Sequence, residues 1–165
     1  MPKSILVVED SADDVFLLKR AFKANGVLTP ISHVEDGHKA VDYLSGKGAY
    51  GDRTSFPIPC VILLDIKMPF FSGFEVLRWI REESGVGKLP VVMLTSSNQE
   101  CDVEKAYALG ANAYLVKPNQ MEDLTELATL IKGFWIDANI PPPSGAENDS
   151  VHTATSRIGQ SHEPA

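Results

Sequence analysis

The sequence predicts an α/β fold in which a doubly wound, five-stranded parallel sheet carries helices on both faces. Five short apolar runs alternate with five segments of helical period, the pattern that builds parallel strands joined by right-handed crossovers. The central runs are continuous rather than alternating, as strands covered on both faces require. The 165 residues are 44% hydrophobic and 22% charged, a composition that suits one compact domain.

The first strand, over 4–8, is the apolar run Ser4-Ile5-Leu6-Val7-Val8. A helix over 12–25 follows, with Val15, Leu18 and Phe22 on one face and Asn25-Gly26 as its stop. The run over 30–34 begins with Pro30, which a sheet tolerates at strand starts and edges, so this strand is edge-like. Asp36-Gly37 opens a short helix through Leu44, and the glycines and prolines of 45–59 predict a long loop with hairpin character. A central strand over 60–64 leads to a helix over 72–83, whose Ser72 and Glu75 have capping-box spacing. A strand over 90–94, a helix over 99–109 closed by Gly110, and a strand over 113–116 come next. The final helix, over 121–135, is expected to bury Leu124, Leu127, Leu130, Ile131 and Phe134.

The last 25 residues, 141–165, hold four prolines and no aromatic residue, too little apolar content to offset the entropy of ordering. They are expected to be a disordered tail behind a domain over 1–140. The net charge of −7 falls only to −5 without that tail, so the acidity belongs to the fold and argues against nucleic acid as a partner. The apolar runs at Ile5–Val8, Val61–Leu64 and Val91–Leu94 are four residues each, far short of the roughly 20 that cross a bilayer. With no secretory leader pattern after Met1-Pro2-Lys3, the cytoplasm is the expected location. Cys60 and Cys101 lack neighbours at metal-ligand spacing and are expected to be reduced, buried thiols.

Ligands of open parallel sheets bind at the carboxyl ends of the strands. There the sequence places Glu9-Asp10, Asp65, Thr95-Ser96 and Lys117-Pro118. One such residue is an ordinary turn former or helix cap, but four strand ends delivering polar groups to one edge call for a ligand. Three carboxylates in one crevice repel each other unless a cation sits among them, and magnesium suits an open cage of oxygen donors. Lys117 and Thr95 supply a positive charge and a hydroxyl of the kind that stabilises a transferring phosphoryl group, leaving one carboxylate as nucleophile.

These motifs resemble the receiver domain of bacterial response regulators, in the chemotaxis-type, flavodoxin-like superfamily, over about residues 4–136. The resemblance rests on Glu9-Asp10, on Leu64-Asp65-Ile66-Lys67-Met68-Pro69 followed by Ser72-Gly73, on Leu94-Thr95-Ser96, and on Tyr114-Leu115-Val116-Lys117-Pro118. It implies strand order 2-1-3-4-5 and phosphorylation of Asp65 from a phosphohistidine. Asp10, Asp65 and the backbone carbonyl of Lys67 would ligate Mg2+, with Glu9 acting mainly through a water. Thr95 and Lys117 would hold the phosphoryl group, Lys117-Pro118 would be a cis peptide, and Tyr114 would be the aromatic switch. A phosphoryl group adds about −1.5 to −2 charge, which should draw Thr95 and its loop inward and let Tyr114 turn in behind it.

Lys67 is basic where many relatives are neutral, and it is expected to pair with Glu9 or to shield the phosphoryl group from water. The long 45–59 loop, Lys67 and Phe70-Phe71 resemble stand-alone regulators of phytochrome-type sensor histidine kinases, without an output domain. One of the two phenylalanines is expected at a kinase-docking face or packed inward. Phe134, Trp135 and Ile136 exceed one core stripe and suggest a homodimer, which the resemblance would form through the fourth helix, fifth strand and fifth helix. An aspartyl phosphatase of the haloacid-dehalogenase type would need a second Asp where Lys67 stands, and Glu9-Asp10 would repel the phosphate of a flavin carrier. A phosphorylation-independent scaffold has no need of the acidic, Thr and Lys set. The reading is a signalling protein, not a turnover enzyme.

Overall fold

The computed structural model describes residues 3–143. Its strands are β1 (Ile5–Val8), β2 (Ile31–Val34), β3 (Val61–Leu64), β4 (Val91–Thr95) and β5 (Ala113–Val116). They form one parallel sheet in the order β2-β1-β3-β4-β5, as expected. Between them run α1 (Ala12–Ala24), α2 (Gly37–Ser45), α3 (Gly73–Glu82) and α4 (Glu100–Ala108), and α5 (Met121–Ile131) follows β5. The tail expected over 141–165 lies, from 144 onward, outside the described residues.

Alternation within each buried strand separates two cores. Leu6, Val8, Ile62, Leu64 and Met93 face one way and pack with α2, α3 and α4, while Ile5, Val7, Val61, Leu63 and Val92 face α1 and α5. Every residue of β1, β3 and β4 is buried, which explains their unbroken apolar runs. The capping box at the start of α3 is formed, with Ser72 Oγ accepting from the Glu75 amide and the Glu75 carboxylate from the Ser72 amide.

Three expectations give way. The 45–59 loop forms a 3₁₀ turn at Gly48–Tyr50 rather than a hairpin, because Arg53 donates to the carbonyls of Tyr43, Leu44 and Phe56 and folds the loop onto the end of α2. The last helix turns π-helical over Lys132–Ala138, with the Asn139 amide bonding the Phe134 carbonyl five residues back. That spacing carries burial from Ile131 to Ile136 and leaves Phe134 56% exposed, while Leu130, still within regular α5, lies off the face buried by Leu124, Ala128 and Ile131 and is 64% exposed, so neither is core. Cys60 is buried, but Cys101 is exposed in the first turn of α4, where only Ala106 of that helix is fully covered.

Candidate functional site

The register of β1 against β3 pairs Val8 with Leu64, so the next residues, Glu9 and Asp65, leave the sheet side by side. On the other flank Thr95 pairs with Val116, and the Lys117 amide bonds the Thr95 carbonyl at 2.8 Å. Four strand ends therefore converge on one point of the sheet edge.

Glu9 is 4% exposed and held from several sides. Its amide donates to Val34 O, its Oε1 accepts from the Ser11 amide at 3.1 Å, and its carbonyl meets His33 Nε2 at 2.8 Å. Asp65 is 6% exposed; its Oδ1 accepts from the Ile66 amide at 2.7 Å. Behind it the backbone is packed so closely that a Cβ on Gly73 would stand 2.0 Å from the Asp65 carbonyl oxygen, so glycine is required there. Asp10 is exposed at the rim.

The Lys117 ammonium occupies the middle of this group. It bonds Glu9 Oε2, Asp14 Oδ2 at 2.9 Å and Asp65 Oδ2 at 3.1 Å, one carboxylate for each of its three hydrogens. Burial alone would lower the pKa of this lysine, but its bonds to Glu9 and Asp14 and the charge of Asp65 outweigh burial and hold it well above the ordinary value. Burial pushes Glu9 the other way for an acid, up to about 7, with Lys117 opposing that rise and Asp65 adding to it.

No local sequence pattern marks Asp14, on the first turn of α1, because its contact with Lys117 is made only when the fold brings the lysine side chain across to that turn. The expected ion pair of Lys67 with Glu9 is absent: Lys67 is exposed, and Lys117 takes Glu9 instead. No cis peptide bond occurs among the described residues, so Lys117-Pro118 is trans rather than the expected cis. The trans form, which X–Pro bonds favour by about 0.5–1 kcal/mol, already lets Lys117 reach its three carboxylates.

Thr95 is fully buried, and its Oγ1 accepts from the Ser97 amide at 3.4 Å. Tyr114 donates its phenol to the Ser97 carbonyl at 2.9 Å, and Ser97 Oγ bonds Asp102 of α4. Ser97 thus joins Thr95, Tyr114 and α4, a link that no local sequence pattern marks. Nearby, Phe70 and Phe71 part company: Phe70 is 97% exposed with φ of 65°, while Phe71 turns in and stacks on His38 with ring centroids 5.0 Å apart.

Glu9, Asp10 and Asp65 each offer a carboxylate oxygen, and these lie within 4.8 Å of one another. An all-oxygen set of this spacing, part buried and part open to water, fits a small divalent cation that keeps some of its waters.

Residues 5–129 match the response regulator receiver domain. The chain belongs to the receiver family. It is 37% identical over 141 residues to the probable methanogenesis regulatory protein FilR2 of Methanothrix harundinacea, covering 86% of this chain and 88% of that one. To response regulator Rcp1 of Synechocystis it is 36% identical over 136 residues, covering 82% and 90% of the two chains. The Mn(2+)-bound form of Rcp1 superposes with a TM-score of 0.76 at 35% identity, over 86% of this receiver and all of that chain. The phosphorylated cyanobacterial phytochrome response regulator RcpA gives a TM-score of 0.79 at 31% identity, over 87% and 100%. Receiver domains are divalent-metal-binding signalling modules of two-component systems that interact with histidine kinases, and they are not turnover enzymes. Among the described residues of this one, no helix is long and apolar enough to cross a membrane.

Proposed function

We propose that this chain is a response regulator phosphorylated on Asp65 by a sensor histidine kinase and acting in the cytoplasm through protein contacts. The observation that carries the reading is Asp65 itself, a buried carboxylate at a strand end with a lysine on one oxygen and two further acids at hand. An oxygen of Asp65 forms the new P–O bond as the P–N bond of the donor phosphohistidine breaks and the imidazole leaves with a proton. Glu9, Asp10, Asp65 and the backbone carbonyl of Lys67 would hold Mg2+, with Glu9 reaching it through water. When bound, the ion offsets the negative charge of the acids and of the incoming phosphoryl oxygens.

The chain's own residues do the rest. Lys117 supplies a fixed positive charge to the phosphoryl oxygens, and Thr95 turns its hydroxyl from the Ser97 amide to one of them. That exchange loosens Ser97, to which Tyr114 and α4 are tied, so the surface of α4, β5 and α5 changes. Exposed Tyr107 on α4 and Val116 on β5 support a protein-contact role for that surface, including a homodimer. The likeness to Rcp1 and RcpA favours a phytochrome-type kinase as the donor.

Intact-mass spectrometry after incubation with acetyl phosphate tests the reading. One Mg2+-dependent phosphoryl addition is expected on the wild type and none on Asp65→Asn. Retained labelling of the variant would remove Asp65 as the acceptor, and an unlabelled wild type with every donor, kinase included, would favour the scaffold.

A further inference from the structure

The three acids around the Lys117 ammonium do not belong to one set. Glu9 and Asp65 share the oxygen cluster with Asp10, whereas Asp14 stands outside it, on α1, bonded to the same ammonium at 2.9 Å. Lys117 therefore sits between two neighbourhoods: a cluster that attracts cations, and a single carboxylate that such an ion does not engage. A divalent ion among Glu9, Asp10 and Asp65 would weaken two of the three bonds that hold the ammonium and repel it as a like charge. Beside the side chain there is room to move, because a cavity of about 60 Å³ lies between α1 and the strand ends, bordered by Lys117, Asp14, Asp65 and the apolar Val15, Leu18 and Leu124.

Resting on the receiver reading above, we propose that Asp14 is a positioning residue for Lys117, the seat that the ammonium keeps as Glu9 and Asp65 turn to the cation. Asp14 lets the site exchange one positive charge for another without releasing the lysine into water. Lys117 stays charged and within reach of Asp65, ready for a phosphoryl oxygen. Without Asp14 the ammonium has only Glu9 and Asp65, and it competes with the cation for both.

A double-mutant cycle on Mg2+ affinity tests this, with isothermal titration of the full chain at constant ionic strength and melting curves to show that each variant is folded. Asp14→Asn should weaken Mg2+ binding three- to tenfold when Lys117 is present. The same substitution in a Lys117→Gln background should change it less than twofold, since only the screened charge of a half-exposed carboxylate then remains. Equal weakening in both backgrounds would make Asp14 a general source of negative charge and overturn its action through Lys117. So would an unchanged affinity in the Asp14→Asn single variant, or the absence of any Mg2+ binding by the wild type. The cycle is read without phosphoryl transfer, so an unphosphorylated Asp65 would count against the proposed function and leave the seat to be decided by the titrations.

Discussion

The two edges of the sheet each depend on cationic side chains, but they use them on different acceptors. At the amino edge Arg81 donates to the carbonyls of Gly87, Leu89 and Gly110 and to Asn112 Oδ1, and Arg53 binds the carbonyls of Tyr43, Leu44 and Phe56. Lys3 likewise reaches the carbonyls of Ile136 and Asn139 and ties the last helical turns to the start of β1. These acceptors are neutral backbone or amide groups that titrate nowhere in the physiological range and take no metal. At the carboxyl edge Lys117 faces three carboxylates instead, each able to accept a proton, and two of them placed to accept a cation. One edge fixes loops, and the other holds charges that can be exchanged.

The largest effect should come from Arg81→Ala, which removes four hydrogen bonds of 2.7–2.9 Å from a part-buried site. A loss of about 3–4 kcal/mol in urea unfolding is expected, and a loss below about 1 kcal/mol would deny the amino edge its clamping role. Next comes the pH dependence of the metal-free protein. Glu9 has a pKa of about 7 in the fold against an ordinary 4.5, so the folded state binds more protons than the unfolded state between those values. Stability should therefore fall as pH rises from about 4.5 to about 7, by on the order of 2–3 kcal/mol. Glu9→Gln should flatten that slope in urea titrations at several pH values, whereas Arg81→Ala should lower the whole curve without changing its shape.

Arg53→Ala should cost about 2 kcal/mol, since the freed carbonyls of Tyr43 and Leu44 at the end of α2 and of Phe56 in the loop can reach water in part. Its Mg2+ affinity should remain that of the wild type, and a changed affinity would mean that the edges are coupled. The smallest effect is expected from Tyr114→Phe, about 0.5–1 kcal/mol for one bond to the Ser97 carbonyl. Hydrogen exchange should nevertheless speed up in the Ser97 loop and α4, and unchanged exchange there would remove Tyr114 as a tether of that loop.

Much of the fold was legible because the unbroken runs Ile5–Val8, Val61–Leu64 and Val91–Leu94 mark strands, and the polar residues ending them mark the carboxyl edge. Parallel pairing then brings Glu9, Asp65, Thr95 and Lys117 together from positions far apart in the chain. What local pattern could not show depends on long side chains or on helix placement. Arg53 and Arg81 act at the tips of flexible stems, and Asp14 meets Lys117 only because the long lysine side chain leaving β5 reaches the first turn of α1. The exposure of Phe134 follows from a change of helical pitch after Ile131, where a strict 3.6 period would have carried the stripe onward, whereas Leu130 is exposed because the buried face of α5 runs through Leu124, Ala128 and Ile131. Phe70 and Phe71 are equal in hydropathy, and only the backbone turn at Phe70 sends one outward and the other inward.

The contrast between the two cysteines gives the unmodified protein a built-in spectroscopic handle. Cys60 is buried and its thiol is pushed up by desolvation, so it reacts slowly, while Cys101 stands exposed on the helix that Ser97 joins to Tyr114. A maleimide dye should attach first at Cys101 without any engineered residue. Its emission would then follow α4 in real time as cation and phosphoryl donor are added at the far side of Thr95.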